Sequence, residues 1–260
     1  LASMNGIRIA AVIPARMASI RYPGKPLIEI EGFPMIEHVR RRALLCDGFS
    51  DVVVATCDTE ILEAVETFGG RVIMTSKKHI MASDRVAEAA LNLDCTHVIN
   101  VQGDEILVMP DDLSNMVESI HANPDGQYWN AIARIEKPAE LTDTAIVKCV
   151  ISTTGRILYC ARDFRHLNLN TTFEPVRKIL GVLGYTRESL FAFSRLNRTP
   201  LETTQSIDQS RIIEHEIPLL AVPFEKGYPG INDSREEQMV RKIFQTDPMQ
   251  RSILKEISSL

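Results

Sequence analysis

Ile7-Arg8-Ile9-Ala10-Ala11-Val12-Ile13, closed by Pro14, decides how the rest of the chain is read. A short β-branched run with no polar alternation suits a strand buried on both faces, as in a parallel sheet. Pro14 ends it and opens a loop to Pro26 that carries Arg16, Ser19, Arg21, Gly24 and Lys25. Downstream, strands and helices alternate. A helix is expected over about 34–45, with Met35, Val39 and Ala43 on one side. A strand follows at 51–56, then a helix at 59–68 that Gly69-Gly70 closes as a C-terminal cap. Residues 71–74 read as a strand, and 83–93 as a helix with Ser83 as N-cap and Asp84 in its first turn. Residues 96–101 read as the next strand. Such alternation signals an α/β fold, a parallel sheet covered by helices on both faces.

Beyond about residue 128 the pattern loosens. A longer strand is expected at 145–152, an irregular polar loop at 164–177, a strand at 181–185 and a helix at about 187–195. No repeat, low-complexity tract or linker interrupts the chain. One domain over 4–260 is expected, with an extended element at about 128–180. The net charge of −5 argues against a general nucleic-acid binder but leaves room for a local basic pocket. Cys46, Cys57, Cys95, Cys149 and Cys160 are odd in number and never at metal-ligand spacing, so they read as reduced, scattered thiols. No apolar run approaches the roughly 20 residues that a membrane span needs. Leu1-Ala2-Ser3 lacks the charged and apolar regions of a signal peptide and reads as a cloning remnant before Met4, so a cytoplasmic protein is expected.

Ligands of open α/β sheets bind beyond the carboxyl ends of the strands. The first loop places Arg16, Arg21 and Lys25 there, and a triphosphate needs such neutralisation while pyrophosphate leaves. Ala15, Ala18, Ser19 and Gly24 are small enough to let backbone amides approach phosphates. The spacing is not that of a Walker A loop, and the alternative is a solvated basic loop. Asn100-Val101-Gln102-Gly103-Asp104-Glu105 ends another buried strand. Asp104 is placed to hold Mg²⁺, which takes one or two carboxylates plus phosphate oxygens, or else it caps a turn. His79 either touches a base or is structural, and Lys148 and Arg162 are either salt-bridged supports or anion binders.

The segment from Ile13 through Pro14-Ala15-Arg16 and Tyr22-Pro23-Gly24-Lys25 to Leu27 resembles the opening motif of the 3-deoxy-manno-octulosonate (Kdo) cytidylyltransferases. Asn100 to Glu105 is similar to their magnesium motif, and His79 with Asp84-Arg85 to their base-recognition segment. The likeness runs from Arg8 to about Phe244. It implies a Rossmann-like nucleotidyltransferase fold and a Mg²⁺-dependent reaction in which the sugar's anomeric hydroxyl attacks the α-phosphorus of CTP. It also implies roles. Arg16, Ser19, Arg21 and Lys25 hold the triphosphate, with Lys25 on the α-phosphate, and Lys25, Arg16 and Asp104 form the catalytic set. His79, Ser83, Asp84 and Arg85 border the cytosine or support its pocket, and Gln102 sits near the sugar or metal. Arg162, Ile179, Leu183, Asp208 and Gln209 fall on the sugar side. A homodimer joined through the 128–180 element, chiefly 164–177, is implied as well, as are CTP and an acidic sugar as partners, with no nucleic acid and no membrane.

The departures from the family pattern concern the acceptor and the metal. His79-Ile80-Met81-Ala82-Ser83-Asp84-Arg85 has Met81 for a hydroxyl residue and Ala82 for glycine, and Ile106 stands where the family has proline. Ile179-Leu180-Gly181-Val182-Leu183 lacks the family's His and Tyr, and an apolar wall suits a deoxy or substituted group. Asp208-Gln209 is one methylene shorter than the family's Glu-Gln. In Gly230-Ile231-Asn232-Asp233-Ser234, Asn232 stands at the place of a second metal acid and offers an oxygen without charge. Asp233 shifts in, the metal is held more weakly, or a substrate carboxylate compensates. The expected function is cytidylyl transfer to Kdo or a Kdo-like acid. The alternatives are a different acidic acceptor, such as another nonulosonate or a phosphonate, and a non-catalytic nucleotide-binding module.

Overall fold

The computed structural model describes residues 6–19, 21–167, 174 and 176–260. Residues 1–5, Ile20 and half of the polar loop expected at 164–177 (168–173 and 175) therefore lie outside the described residues. The chain forms two compact units, Leu1–Val117 with Tyr228–Leu260, and Glu118–Gly227.

In the first unit β1 (Ile9–Pro14) is buried along its whole length, as its uninterrupted apolar run requires. A two-residue hairpin follows, β2 (Glu29–Ile30) and β3 (Phe33–Pro34). It turns through Glu31 and Gly32, both at positive φ, the geometry that matches strand twist. Then come α1 (Met35–Leu44), β4 (Asp51–Thr56), α2 (Thr59–Thr67), β5 (Arg71–Met74), α3 (Ala82–Ala90) and β6 (His97–Val101). The expected cap of α2 is present: Gly69 lies at φ 69° and donates to Glu66, while Gly70 donates to Val65. β1 pairs in parallel with β4 on one side and β6 on the other, and β4 pairs with β5. The order β6-β1-β4-β5 means that the chain builds outward from β1 and then returns to its opposite flank. The loops after β1 and β6 thus diverge at a topological switch point, the place where such sheets bind ligands.

In this unit the start of α3 differs from expectation. α3 begins at Ala82 with Met81 as N-cap, so Ser83 lies inside the first turn and caps nothing. Its side chain is buried and its hydroxyl has no partner among the described residues, because the chain leaves the extended conformation two residues before the capping signal. Asp84 remains in the first turn, as read from the sequence.

α4 (Pro110–Ala122) leads into the second unit. There β7 (Tyr128–Arg134) pairs antiparallel with β10 (Val176–Thr186) and in parallel with β11 (Leu219–Pro223). β8 (Lys148–Ile151) lies antiparallel to β10 and to β9 (Ile157–Ala161). β8 is shorter than the strand expected at 145–152. Asp143 accepts hydrogen bonds from the backbone of Ala145 and Ile146 and holds those residues in a turn, a common use of aspartate. β10 is longer than expected and irregular between Ile179 and Leu183. Three short helices follow it: α5 (Arg187–Phe193), α6 (Pro200–Gln205) and α7 (Gln209–Glu214). The ion pair of Arg211 with Glu202 is buried and ties α7 to α6.

The chain returns to the first unit through α8 (Ser234–Thr246) and α9 (Pro248–Ser258). Val240 and Phe244 of α8 close a core with Ile30, Met35, Ile106, Leu107 and Ile231. Ile106 is fully buried there, and burying such a side chain is worth roughly 1.5–3 kcal/mol. Among the described residues no helix is long and apolar enough to cross a membrane.

Candidate functional site

At the switch point of the first unit lies a cleft of about 420 Å³. Five pieces of chain meet there: the loop after β1, the start of α1, the approach to α3 with its first turn, the end of β6 and the segment before α8. The first loop is folded on itself. The amide of Met17 donates to Asp58 at 2.7 Å, Gly24 donates to the Met17 carbonyl at 3.0 Å, and the amide of Tyr22 donates to the Ser19 hydroxyl at 3.3 Å. Gly24 sits at φ 74°, where residues with side chains are strained, and it turns Lys25 into the cleft. Arg16, Ser19 and Arg21 line the same wall.

Opposite them Gln102, Gly103 and Asp104 continue from β6. Glycine is required at 103 because a Cβ there would stand 2.8 Å from the backbone oxygen of Pro14. The same holds at Gly230, where a Cβ would stand 2.9 Å from the backbone oxygen of Asp104. Three backbone segments are therefore stacked closely enough for their side chains to share charges. Lys25 Nζ donates to Asp104 Oδ2 at 2.8 Å and to the carbonyl of Ile231 at 2.9 Å. Arg21 donates to Asn232 Oδ1 at 3.2 Å, and Arg16 to the carbonyl of Ile80 at 3.4 Å. With Arg85, the described lining carries four cations to one carboxylate, an electrostatic basin for a polyanion.

The third wall holds His79 and Arg85. His79 Nε2 meets Glu88 Oε2. Glu88 also accepts the Ser76 amide at 2.9 Å, which chiefly holds its carboxyl below the usual range. Arg85 is buried and donates to the Thr75 hydroxyl. Both side chains are thus oriented by protein partners while still bordering the cleft. Met81 and Ala82 border it too, so these two of the departures from the family pattern face the cleft. Ser83 and Asp84 are not among the described lining residues. Asn232 is, whereas Asp233 is the N-cap of α8 and accepts the amides of Arg235 and Glu236, each at 2.9 Å. Those amides, Glu236 first, hold the Asp233 carboxyl below the usual range.

The sugar-side candidates belong to the second unit. Arg162 donates to the carbonyls of Gln205 at 2.8 Å, Thr144 at 2.9 Å and Ser206 at 3.1 Å. Lys148 donates to the carbonyls of Asp143, Ile146 and Arg162, and burial pushes its pKa down to about 8. Both cations therefore hold backbone in place. Gln209 donates to Asn130 Oδ1 at 2.8 Å, and Asn130 donates to the carbonyl of Leu180 at 3.1 Å, within the irregular part of β10. Ile179 and Leu183 flank that irregularity, Leu183 being buried, and Asp208 precedes α7.

Two contacts that hold the loop after β1 were not anticipated from sequence: the Tyr22 hydroxyl on Glu237, and the Ile231 carbonyl on Lys25. Both join residues more than two hundred positions apart, and no local pattern announces them.

A family described as "Cytidylyltransferase" matches residues 10–250. A 3-deoxy-manno-octulosonate cytidylyltransferase of Myxococcus xanthus is 41% identical over 226 residues, covering 83% of this chain and 88% of that protein. An 8-amino-3,8-dideoxy-manno-octulosonate cytidylyltransferase of Shewanella piezotolerans is 37% identical over 214 residues, covering 80% and 87%. Among solved structures, a CMP:2-keto-3-deoxy-manno-octonic acid synthetase complexed with CTP superimposes with a TM-score of 0.87 at 32% identity, covering 92% of this chain and 99% of that one.

Proposed function

The chain belongs to the cytidylyltransferase family, and from that premise we propose that it transfers CMP from CTP to an acidic 3-deoxy sugar of the Kdo class. The observation that carries this reading is the meeting of Arg16, Arg21 and Lys25 with Asp104 in one cleft at the switch point. The sugar hydroxyl oxygen bonds to the α-phosphorus, the bond to the β-phosphate oxygen breaks, pyrophosphate leaves, and the hydroxyl proton passes to solvent. Arg16, Ser19 and Arg21 hold the β- and γ-phosphates. Lys25 takes the α-phosphate, where charge on the transition state is largest, so the protein contributes chiefly position and charge. His79 and Arg85 border the base, and Gln102 lies between nucleotide and acceptor.

The donor set fits Mg²⁺. Asp104 supplies a carboxylate and Asn232 an amide oxygen on the same cleft, and a hard cation takes its remaining oxygens from phosphate and water. When bound, the cation supplies further neutralisation of the triphosphate oxygens.

On the acceptor side, Ile179, Leu183, Asp208 and Gln209 remain the candidates, while Arg162 donates to the backbone carbonyls of Gln205, Thr144 and Ser206. Relatives acting on the 8-hydroxy and on the 8-amino sugar match at nearly the same identity, so both sugars belong in the first assay. A homodimer through the second unit is part of the proposal, supported by the exposed Leu158 and Tyr159 on β9. The cytoplasm suits its five free cysteines.

The test is pyrophosphate release from CTP with Mg²⁺ and each sugar. Turnover with at least one sugar, lost without it and lost in Asp104→Ala, is expected. CTP binding without turnover on any acidic acceptor would return the chain to a nucleotide-binding module.

A further inference from the structure

Lys25 Nζ sits between the two segments that would hold a divalent cation. It donates to Asp104 Oδ2 at 2.8 Å and to the carbonyl of Ile231, next to Asn232, at 2.9 Å. Both side chains of the ion pair are mostly shielded from solvent, at 17% and 20% exposure, so water screens the pair only in part. A magnesium ion binds oxygen at roughly 2.1 Å, and an ammonium already held on that carboxylate repels an incoming dication, an electrostatic exclusion that partial burial strengthens. The surroundings reinforce the exclusion. Arg21 lies on Asn232 Oδ1, and Asn232 brings no second negative charge to offset the cations around it.

We propose that Lys25 and the divalent cation compete for Asp104, and that the nucleotide resolves the competition. The triphosphate offers Lys25 a new anion and brings oxygens for the cation, so the metal enters with CTP and not before it. This rests on the reading of the cleft as a CTP site. It makes Lys25 a gate on metal occupancy as well as a phosphate contact.

Mn²⁺ is the probe, with free Mn²⁺ followed by electron paramagnetic resonance and the fold checked by circular dichroism. Without nucleotide, wild type and Lys25→Arg are expected to retain no Mn²⁺ at sub-millimolar concentration, whereas Lys25→Met gains affinity on the order of tenfold or more. The double variant Lys25→Met, Asp104→Asn loses that gain. Adding CTP to wild type is expected to bring Mn²⁺ onto the protein, seen as a fall in free Mn²⁺ beyond that caused by the same CTP without protein. If wild type retains Mn²⁺ alone as tightly as with CTP, the gate is wrong whatever the variants do. A folded Lys25→Met with no gain overturns it too. If Lys25→Met gains Mn²⁺ while wild type binds no CTP at all, the competition stands and the cytidylyltransfer reading of the cleft falls.

Discussion

The hydroxyl of Tyr22, in the loop after β1, hydrogen-bonds the carboxylate of Glu237 on α8, 215 positions later in the chain. Glu237 also pairs with Arg241 at 2.7 Å, and Arg241 donates to the carbonyl of Glu29 at 2.8 Å. Tyr22 stands between Arg21 and the Pro23-Gly24-Lys25 turn, so this contact sets where two of the cleft's cations can reach. The helix does not touch the ligand space through these residues. It holds the loop that does.

Tyr22→Phe is therefore expected to raise KM for CTP about three- to tenfold with a smaller change in kcat, since a hydrogen bond to a charged group is worth about 1.5–3 kcal/mol and only part of it is felt at the nucleotide. The Tyr22 hydroxyl chiefly holds the Glu237 carboxyl below its usual range. A depressed carboxyl contributes stability above its unfolded pKa and loses it as pH falls through the folded value. The acid limb of the wild-type stability profile should thus be steeper than that of Tyr22→Phe. Identical steady-state constants and identical acid unfolding would remove the latch from the account.

Gly103→Ala tests the stacking of the loops on which the cleft depends. The added methyl carbon would meet the Pro14 backbone oxygen at 2.8 Å, and neither strand end can swing aside as a side chain would. A cost of about 1–3 kcal/mol is expected from overpacking, together with weaker CTP binding by calorimetry. An unshifted melting temperature with undiminished CTP affinity would show that the β1 and β6 loops are looser than described.

The parts of this protein visible in its sequence are those where neighbours in the chain act together. The run 7–13 gave β1, the Gly69-Gly70 pair gave the end of α2, and small residues among cations marked the loop that became one wall of the cleft. Ser83 misled because a local capping signal was overridden by where the chain became helical. The pairing of Arg21 with Asn232 and the close approach of Gly230 to Asp104 depend on tertiary packing through the core around Ile231 and Phe244. Sequence spacing contains no term for such contacts. It marked Asn232 as the residue in question and left open whether it or Asp233 faces the ligand.

His38 makes a prediction about acid stability. Its ring is fully buried between the hairpin and α8, with Nε2 on the Ile30 carbonyl at 2.7 Å. Burial pushes its pKa down to about 4. Below the ordinary value of 6.5 the unfolded chain takes up a proton that the folded protein refuses, so stability falls from about pH 6.5 to pH 4. The loss at the acid end is on the order of 3 kcal/mol. Urea unfolding of wild type and His38→Gln at pH 7 and pH 5 measures it. The gap between the two pH values should narrow in the variant, and an unchanged gap would mean that other groups control acid unfolding.

Asn232 and Asp233 can be separated because the structure gives them different work. Asn232 lines the cleft and faces Arg21, while Asp233 caps α8. Asn232→Asp places a second carboxylate beside Asp104, so the Mg²⁺ concentration for half-maximal activity should fall about three- to tenfold, as expected when a cation gains a charged ligand. Asp233→Ala removes the cap, so the melting temperature should drop while the Mg²⁺ requirement stays put. Asp233→Asn should restore most of the loss, since asparagine caps nearly as well. Acidification should act on wild type in the same sense, because the Asp233 carboxyl is held low by the helix amides and its contribution fades as pH falls through that lowered value. If Asp233→Ala instead raised the Mg²⁺ requirement and Asn232→Asp left it alone, Asp233 would be the metal's oxygen donor, and the cap seen here would have to give way when nucleotide binds.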